Sequence, residues 1–370
     1  MEPRRVVVTG AEGFIGRNLC LRLSELPEFE AVPLTRQSDR AEWQTALAGA
    51  AAVIHLAGVN RPADGDFSGN WSSSGQLAEA IVASGRPVPV ISSSSSRAGE
   101  DTEYGRSKQA AEDTLAALRE RTGSAVAIYR LPNVFGKWSR PNYNSAVATF
   151  CHNIARGLPI RIDDPATPLT LIYVDDVIAS WIVQLRHGVT DGLVEASPSY
   201  QTSVGEVAAL IRRFHQDRTD AMIEDVGFGL TRALYATFVS FLPPSDFSTR
   251  LVSHTDPRGS FSEMLKTRAA GQFSFFTAHP GVTRGGHYHH TKTEKFLIVH
   301  GRARFRFRHM VTGETHELET SAELPEVVDT VPGWTHDVTN IGNDVMVAML
   351  WANELFDRDR PDTVAAAVAV

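Results

Sequence analysis

The stretch RVVVTGAEGFIGRNLCLRL, residues 5–23, decides the fold of the amino-terminal part of the chain. RVVVTG (5–10) is a β-branched run that predicts a strand, and AEGFIGRNLCLRL then takes on a helical period. Gly10, Gly13 and Gly16 fall between the two with G-x-x-G-x-x-G spacing. Glycines at such a turn let the backbone approach a pyrophosphate, and the start of the helix presents its N–H groups to it. A glycine-rich turn without a ligand is the plain alternative; the strand-to-helix setting favours a dinucleotide. Working outward, AVPLTR (31–36), AAVIHLAG (51–58), PVPVISSSS (87–95) and AVAIYRLPN (125–133) read as further strands, with helices over 73–84 and 104–121. That alternation predicts an α/β fold with a doubly wound parallel sheet. Arg36 ends the second strand where an Asp or Glu would hold ribose hydroxyls. An arginine there suits a 2′-phosphate, so NADP(H) is expected over NAD(H), the alternative being a solvated loop charge.

Tyr104 and Lys108 lie four apart, one turn apart on one helix face. An ammonium beside a phenol lowers its pKa and equips it to pass a proton. Ser94, ten residues earlier, is placed to bond the same substrate oxygen. The bland reading of the Tyr and Lys is a solvated helix face.

After residue 245 the texture changes to short strands separated by Gly and Pro turns, among them KFLIVHG, ARFRFRH, EVVDTVP and VMVAMLW. These fit a β-barrel or jelly roll, and Pro243-Pro244 marks a boundary, giving domains 1–245 and 246–370. GVTRGGHYHHTKTEKFLIVHG (281–301) holds His287, His289 and Glu294, and His336 follows the turn Pro332-Gly333. Residues two apart in a strand share a face, so His287 and His289 can reach one ion; Glu294 can return to it beyond a turn, and His336 from another strand. Three imidazoles and a carboxylate suit a divalent metal, zinc first among Zn, Fe, Ni and Mn. A cluster whose histidines are satisfied by neighbours is the alternative. His290 faces the other way.

The 370 residues exceed what one core usually serves, which favours two domains. No apolar run is long enough to span a bilayer, and no signal-peptide pattern opens the chain. Two cysteines, Cys20 and Cys151, point to no disulfide framework and to a reducing cytoplasm. A net charge of −7 argues against a broad nucleic-acid surface.

The first 240 or so residues resemble the extended short-chain dehydrogenase/reductase superfamily, a Rossmann fold, through TGAEGFIG, HLAG (55–58), Asn70, SSS (92–94), YGRSK (104–108), RLPNVFG (130–136) and YVDD (173–176). The resemblance implies cofactor contacts from Gly10, Gly13, Phe14, Ile15, Gly16, Arg36, Leu56, Ala57, Tyr104, Lys108, Pro132 and Asn133, and a sugar-nucleotide substrate. Dehydratases of this kind carry an acidic pair beside the active-site hydroxyl; Ser95 and Ser96 stand there instead, which implies a reductase or epimerase. From Gly281 to Gly301 the spacing G-x5-H-x-H-x4-E-x6-G matches the first box of the cupin superfamily. The second box is met in part, with Pro332 directly before Gly333. Arg258-Gly-Ser-Phe-Ser-Glu263 and Arg284-Gly-Gly-His287 also resemble dTDP-sugar 3,5-epimerases, in which the matching histidine is a base, so His287 is ligand or base. If it is a ligand, Lys292 and Lys295 are candidates for the base.

A reductase followed by a metal cupin resembles CapF-type capsular polysaccharide enzymes, with HLAGVNRP (55–62), FGKW (135–138), PNYNS (141–145), HHTKTEKF (289–296) and NELFD…RPDT (353–363) in support. This implies that the cupin inverts carbon 3 of a UDP-2-acetamido-2,6-dideoxy-4-hexulose and that the reductase reduces its carbon-4 ketone with NADPH, towards UDP-N-acetyl-L-fucosamine. Asn70, Asn133, Lys137, Asn142 and Asn144 are then candidates for holding the UDP-sugar, with loop-capping hydrogen bonds as their plain alternative. A homodimer is expected by analogy. Other readings are a reductase of another nucleotide sugar, a 4-epimerase that retains NAD, and a cupin whose metal is structural only.

Overall fold

The structure is a computed structural model that describes residues 2–250, 253–256, 259–262, 265–267, 271–354 and 359–369. It divides into two compact units, one of residues 1–135, 142–145 and 168–202, the other of 136–141, 146–167 and 203–370. Among the described residues no helix is long and apolar enough to cross a membrane.

In the first unit six parallel strands form one sheet, ordered Phe29–Leu34, Arg4–Thr9, Ala52–His55, Val90–Ser95, Val126–Leu131, Gly192–Val194. Val6, Val7, Val8, Val53, Ile54, Val90 and Ile91 are fully buried, as the continuous apolar runs of a sheet covered on both faces require. From Arg4–Thr9 the chain moves outward to Phe29–Leu34 and returns on the other side as Ala52–His55, so the strand order reverses there. Such a switch point opens a crevice at the carboxyl ends of the strands. The helix Glu103–Thr122 is capped by the Thr102 hydroxyl, which accepts from Gly105 N, and ends at Gly123 with φ +73°. Tyr104 and Lys108 therefore sit in its first two turns.

The second unit carries two five-stranded sheets. One runs Ser248–Arg250, Glu326–Asp329, Glu294–His300, Met346–Ala352, Gln272–Ala278; the other runs Thr315–Ser321, Arg302–His309, Trp334–Asn340, Thr283–Tyr288, Val364–Ala365. The pairings are antiparallel, the arrangement of a cupin jelly roll. Buried Phe247 lies edge-on to Phe307 and Trp334, and Phe305 packs on Phe296, which makes the core. The unit also includes the helices Ala146–Ile154, Val204–Thr219 and Gly229–Ser240, ahead of residue 246. Val364–Ala365 forms the edge strand beside Thr283–Tyr288.

Candidate active sites

Gly10 adopts φ +66°, and a Cβ there would stand 2.9 Å from Ala57 N and from the Leu56 carbonyl carbon. A Cβ on Gly16 would stand 2.3 Å from the Gly10 carbonyl oxygen. Only glycine leaves this turn room, and the cradle it forms fits a dinucleotide. The Thr9 hydroxyl accepts from Leu56 N and Ala57 N at 3.2 Å each and meets His55 Nδ1 at 2.8 Å, joining the ends of two central strands. Gly13 caps the next helix without a side chain, and Phe14 and Ile15 begin it. Arg36 is exposed just beyond the second strand. Pro132 is half-buried, and Asn133 donates its amide to the Thr170 carbonyl at 3.1 Å.

Tyr104 and Lys108 come together as read: the ammonium is 5.8 Å from the centre of the phenol ring. Their serine does not. The Ser94 hydroxyl donates to Glu112, whose carboxylate is also held by Arg130 Nε and Nη2 at 3.0 and 2.7 Å. Ser95, the next residue and so on the opposite face of the strand, is the serine that favours the ionised Tyr104 phenol, and its hydroxyl accepts from Arg97 N at 3.2 Å. Asn60 Oδ1 accepts from the phenol, at 3.4 Å. The expected lowering of the phenol pKa is corrected as well. Burial raises it, outweighing Ser95 and the nearby Arg97 charge. The ammonium responds instead: burial brings Lys108 down to about 8, with Glu112 pulling the other way.

Asn70 is 1% exposed, and its amide is committed to Val59 N, Val59 O and the Ser107 hydroxyl. It is therefore a brace for the 56–60 loop, not a group facing substrate. Asn142 and Asn144 are exposed on a loop tied down by Arg61, whose guanidinium donates to the Tyr143 carbonyl while the Tyr143 hydroxyl returns to Arg61 O. Lys137 belongs to the other unit and is buried, its ammonium 5.4 Å from the Trp138 ring centre.

In the second unit His287, His289, Glu294 and His336 converge, with one donor atom from each lying within 4.8 Å of all the others. His287 stands opposite His336 across the antiparallel pair, just after a bulge at Gly285. A Cβ on Gly285 would lie 2.9 Å from the His336 carbonyl oxygen, so the bulge demands glycine. At the far turn Gly333 has φ +82° and lies under the Trp138 ring, 2.6 Å from where its Cβ would be. His289 Nε2 is 3.2 Å and His336 Nε2 3.7 Å from Glu294 Oε2. His336 is 3% exposed and neither ring nitrogen has a hydrogen bond. Buried imidazole nitrogens without partners, gathered on a carboxylate, fit a divalent metal. Burial, then His336 and His289, bring His287 down to about 3, and burial lowers His336, so both are held as the neutral rings a metal needs. Burial alone would raise Glu294, but the neighbouring His289 and His336 rings and the Lys292 charge hold it well below the usual carboxylate range.

Lys292 Nζ lies 2.8 Å from Glu294 Oε1, the oxygen turned away from the histidines. Lys295 is engaged elsewhere, on buried Asp329, which also receives Arg218. His290 packs on Tyr288, on the other side as expected. Arg258 and Glu263 lie outside the described residues. The reading from sequence passed over Asp362, whose carbonyl accepts from His289 Nδ1 and whose carboxylate accepts from His290 N at 2.9 Å and Lys292 N at 2.7 Å.

Residues 6–195 match the model of the NAD dependent epimerase/dehydratase family, and 254–364 that of the polysaccharide biosynthesis C-terminal domain. The chain is 53% identical over 367 residues to a UDP-2-acetamido-2,6-beta-L-arabino-hexul-4-ose reductase of Pseudomonas aeruginosa, covering 98% of this chain and 99% of the relative. The crystal structure of the capsular polysaccharide assembling protein CapF from Staphylococcus aureus is 37% identical, with a TM-score of 0.66 over 98% of this chain and 100% of that one. A UDP-N-acetylglucosamine 4-epimerase from Bacillus cereus, 20% identical with a TM-score of 0.51, covers 58% of this chain and 82% of its own, and shares the fold.

Proposed function

The chain belongs to the NAD dependent epimerase/dehydratase family and, along 98% of its length, to the CapF-type proteins; on that footing we propose a bifunctional nucleotide-sugar enzyme. Residues 246–370 invert carbon 3 of a UDP-2-acetamido-2,6-dideoxy-4-hexulose. Residues 1–245 then reduce the carbon-4 ketone with NADPH to the 6-deoxy-talosamine sugar nucleotide, a step towards UDP-N-acetyl-L-fucosamine and capsular polysaccharide. The observation that carries the reading is Tyr104 with the Lys108 ammonium 5.8 Å from its ring centre, beside the glycine cradle. The name of the Pseudomonas relative supports the same ketone.

NADPH, when bound, supplies the hydride, and Arg36 is the group suited to its 2′-phosphate. Tyr104 gives its proton to the oxygen at carbon 4 as the ketone becomes an alcohol. Ser95 holds that oxygen and the phenol in register, and the Lys108 charge beside the ring eases the departure of the proton. A divalent ion, zinc by its donor set, would be held by His287, His289, Glu294 and His336 and would supply the Lewis acidity that makes the carbon-3 proton removable. Lys292 holds the outer oxygen of Glu294 and leaves Oε2 turned to the histidines.

The test is incubation with NADPH and the UDP-4-keto-6-deoxy sugar in heavy water, with the product read by NMR. Expected are one NADPH oxidised per product, the talo configuration, and deuterium at carbon 3. Turnover without net NADPH consumption would overturn the reading in favour of an epimerase that retains its nucleotide.

A further inference from the structure

Asp362 lies beyond the last long strand, far from the metal cluster in sequence, yet it grips the turn that carries two of the four ligands. Its Oδ1 accepts from His290 N at 2.9 Å, and its Oδ2 accepts from Thr291 N, the Thr291 hydroxyl and Lys292 N at 2.6, 2.9 and 2.7 Å. Three successive backbone N–H groups around one carboxylate form an anion-holding nest. The carbonyl of the same residue accepts from His289 Nδ1. That bond places a ring proton on Nδ1, so Nε2, 3.2 Å from Glu294 Oε2, is the nitrogen that would give its lone pair to a metal held between them. The residues that follow continue the grip. Val364 and Ala365 pair with Tyr288 and His287, Ala366 N donates to the Gly286 carbonyl at 2.8 Å, and the Thr335 hydroxyl donates to the Ala366 carbonyl. Arg308 holds the carbonyls of Ala367 and Val368 at 2.7 and 3.0 Å. Thus one short segment touches residues in, or next to, the positions of His287, His289 and His336.

We propose that Asp362 is the positioning residue of the metal centre: it fixes the tautomer and aim of His289 through its carbonyl and the 290–292 turn through its carboxylate, so the last residues of the chain complete the site. This rests on the reading of the four-residue cluster as a metal site. Outer partners of this kind change metal affinity 10- to 100-fold when removed.

The experiment compares full-length wild type, Asp362→Ala and Asp362→Asn, stripped of metal and titrated with zinc and cobalt. The melting temperature of the metal-free protein and the visible spectrum of the cobalt form are recorded alongside. Expected are one ion per chain in wild type, a loss of about 10- to 100-fold in affinity for Asp362→Ala, an altered cobalt spectrum, and partial rescue in Asp362→Asn, which keeps a neutral acceptor. A lower melting temperature with unchanged affinity and spectrum would make the residue a structural tether only and would overturn the proposal. Nitrogen NMR of the His289 ring separates the two readings. If wild type binds no ion, the metal reading fails, while a proton on Nδ1 that is present in wild type and lost in Asp362→Ala, where the carbonyl remains but the carboxylate no longer seats its segment on the 290–292 turn, still upholds the positioning role.

Discussion

Exchanging Ser95 and Ser94 for alanine, one at a time, separates a catalytic hydroxyl from a structural one only one residue away. Ser95 favours the ionised Tyr104 phenol, so Ser95→Ala is expected to remove a hydroxyl placed for the oxygen that gains charge during reduction. Loss of one such donor costs about 10²–10³ in rate, roughly 3–4 kcal/mol. Ser94 bonds Glu112, which keeps Arg130 on both oxygens after the change, at 3.0 and 2.7 Å. Ser94→Ala therefore deletes a hydrogen bond to a charged group, about 1.5–3 kcal/mol of stability. That corresponds to a melting temperature lower by roughly 3–10 °C for a unit of this size, with the rate within about tenfold. The assay is single-turnover NADPH oxidation at saturating UDP-4-keto sugar, beside thermal unfolding of each variant. If Ser94→Ala loses as much rate as Ser95→Ala, the two faces of the strand have been assigned the wrong way round and the role of Ser95 falls.

That pair also shows where legibility stopped. Residues 92–96 are all serine, and a strand whose two faces carry the same side chain offers no alternation from which to set its parity. The position of the serine run could be read; the face of each member could not. Asn70 was misread for a related reason, since an amide that braces a loop and one that binds substrate look the same until burial is known. By contrast, the nucleotide turn was legible because its glycines answer to a local requirement, the close approach of Leu56 and Ala57 to Gly10. The gathering of His287, His289, Glu294 and His336 was legible because the period of a strand and a fixed spacing sufficed. Asp362 was hidden, because 73 residues separate it from the histidine it aligns and nothing local marks it. The strand Thr315–Ser321 was passed over because its alternation is mostly polar, as befits a sheet edge. The helix Val204–Thr219 is marked locally, by a capping box from Ser203 to Glu206.

Three further outcomes can be checked. Reduction should fall as pH rises through about 8, where Lys108 loses its charge, and Glu112→Gln should move that fall to lower pH because Glu112 supports the charged form; a pH–rate profile shows both. Arg36→Ala should raise KM for NADPH about tenfold or more and leave KM for NADH nearly unchanged, the signature of a lost 2′-phosphate contact in steady-state kinetics. Asp329→Asn should be among the most damaging single changes away from either site. The carboxylate receives both Arg218 and Lys295, and the three side chains are 9%, 7% and 4% exposed for Arg218, Lys295 and Asp329. Burial alone would raise its pKa, but the two cations hold it below the usual range. A depressed carboxylate contributes stability that is present above its unfolded pKa near 3.9 and is lost as pH falls towards the native value. Removing the anion leaves two buried cations facing each other, at a cost of about 3–5 kcal/mol. Because Thr330 N donates to the Glu294 carbonyl at 2.9 Å and Glu294 N to the Thr330 hydroxyl at 2.9 Å, the damage should reach Glu294 of the four-residue cluster as well. Denaturant unfolding across pH measures it: wild type should show an acid-induced loss that the variant lacks, and a variant within about 1 kcal/mol of wild type at neutral pH would mean the buried triad holds nothing together.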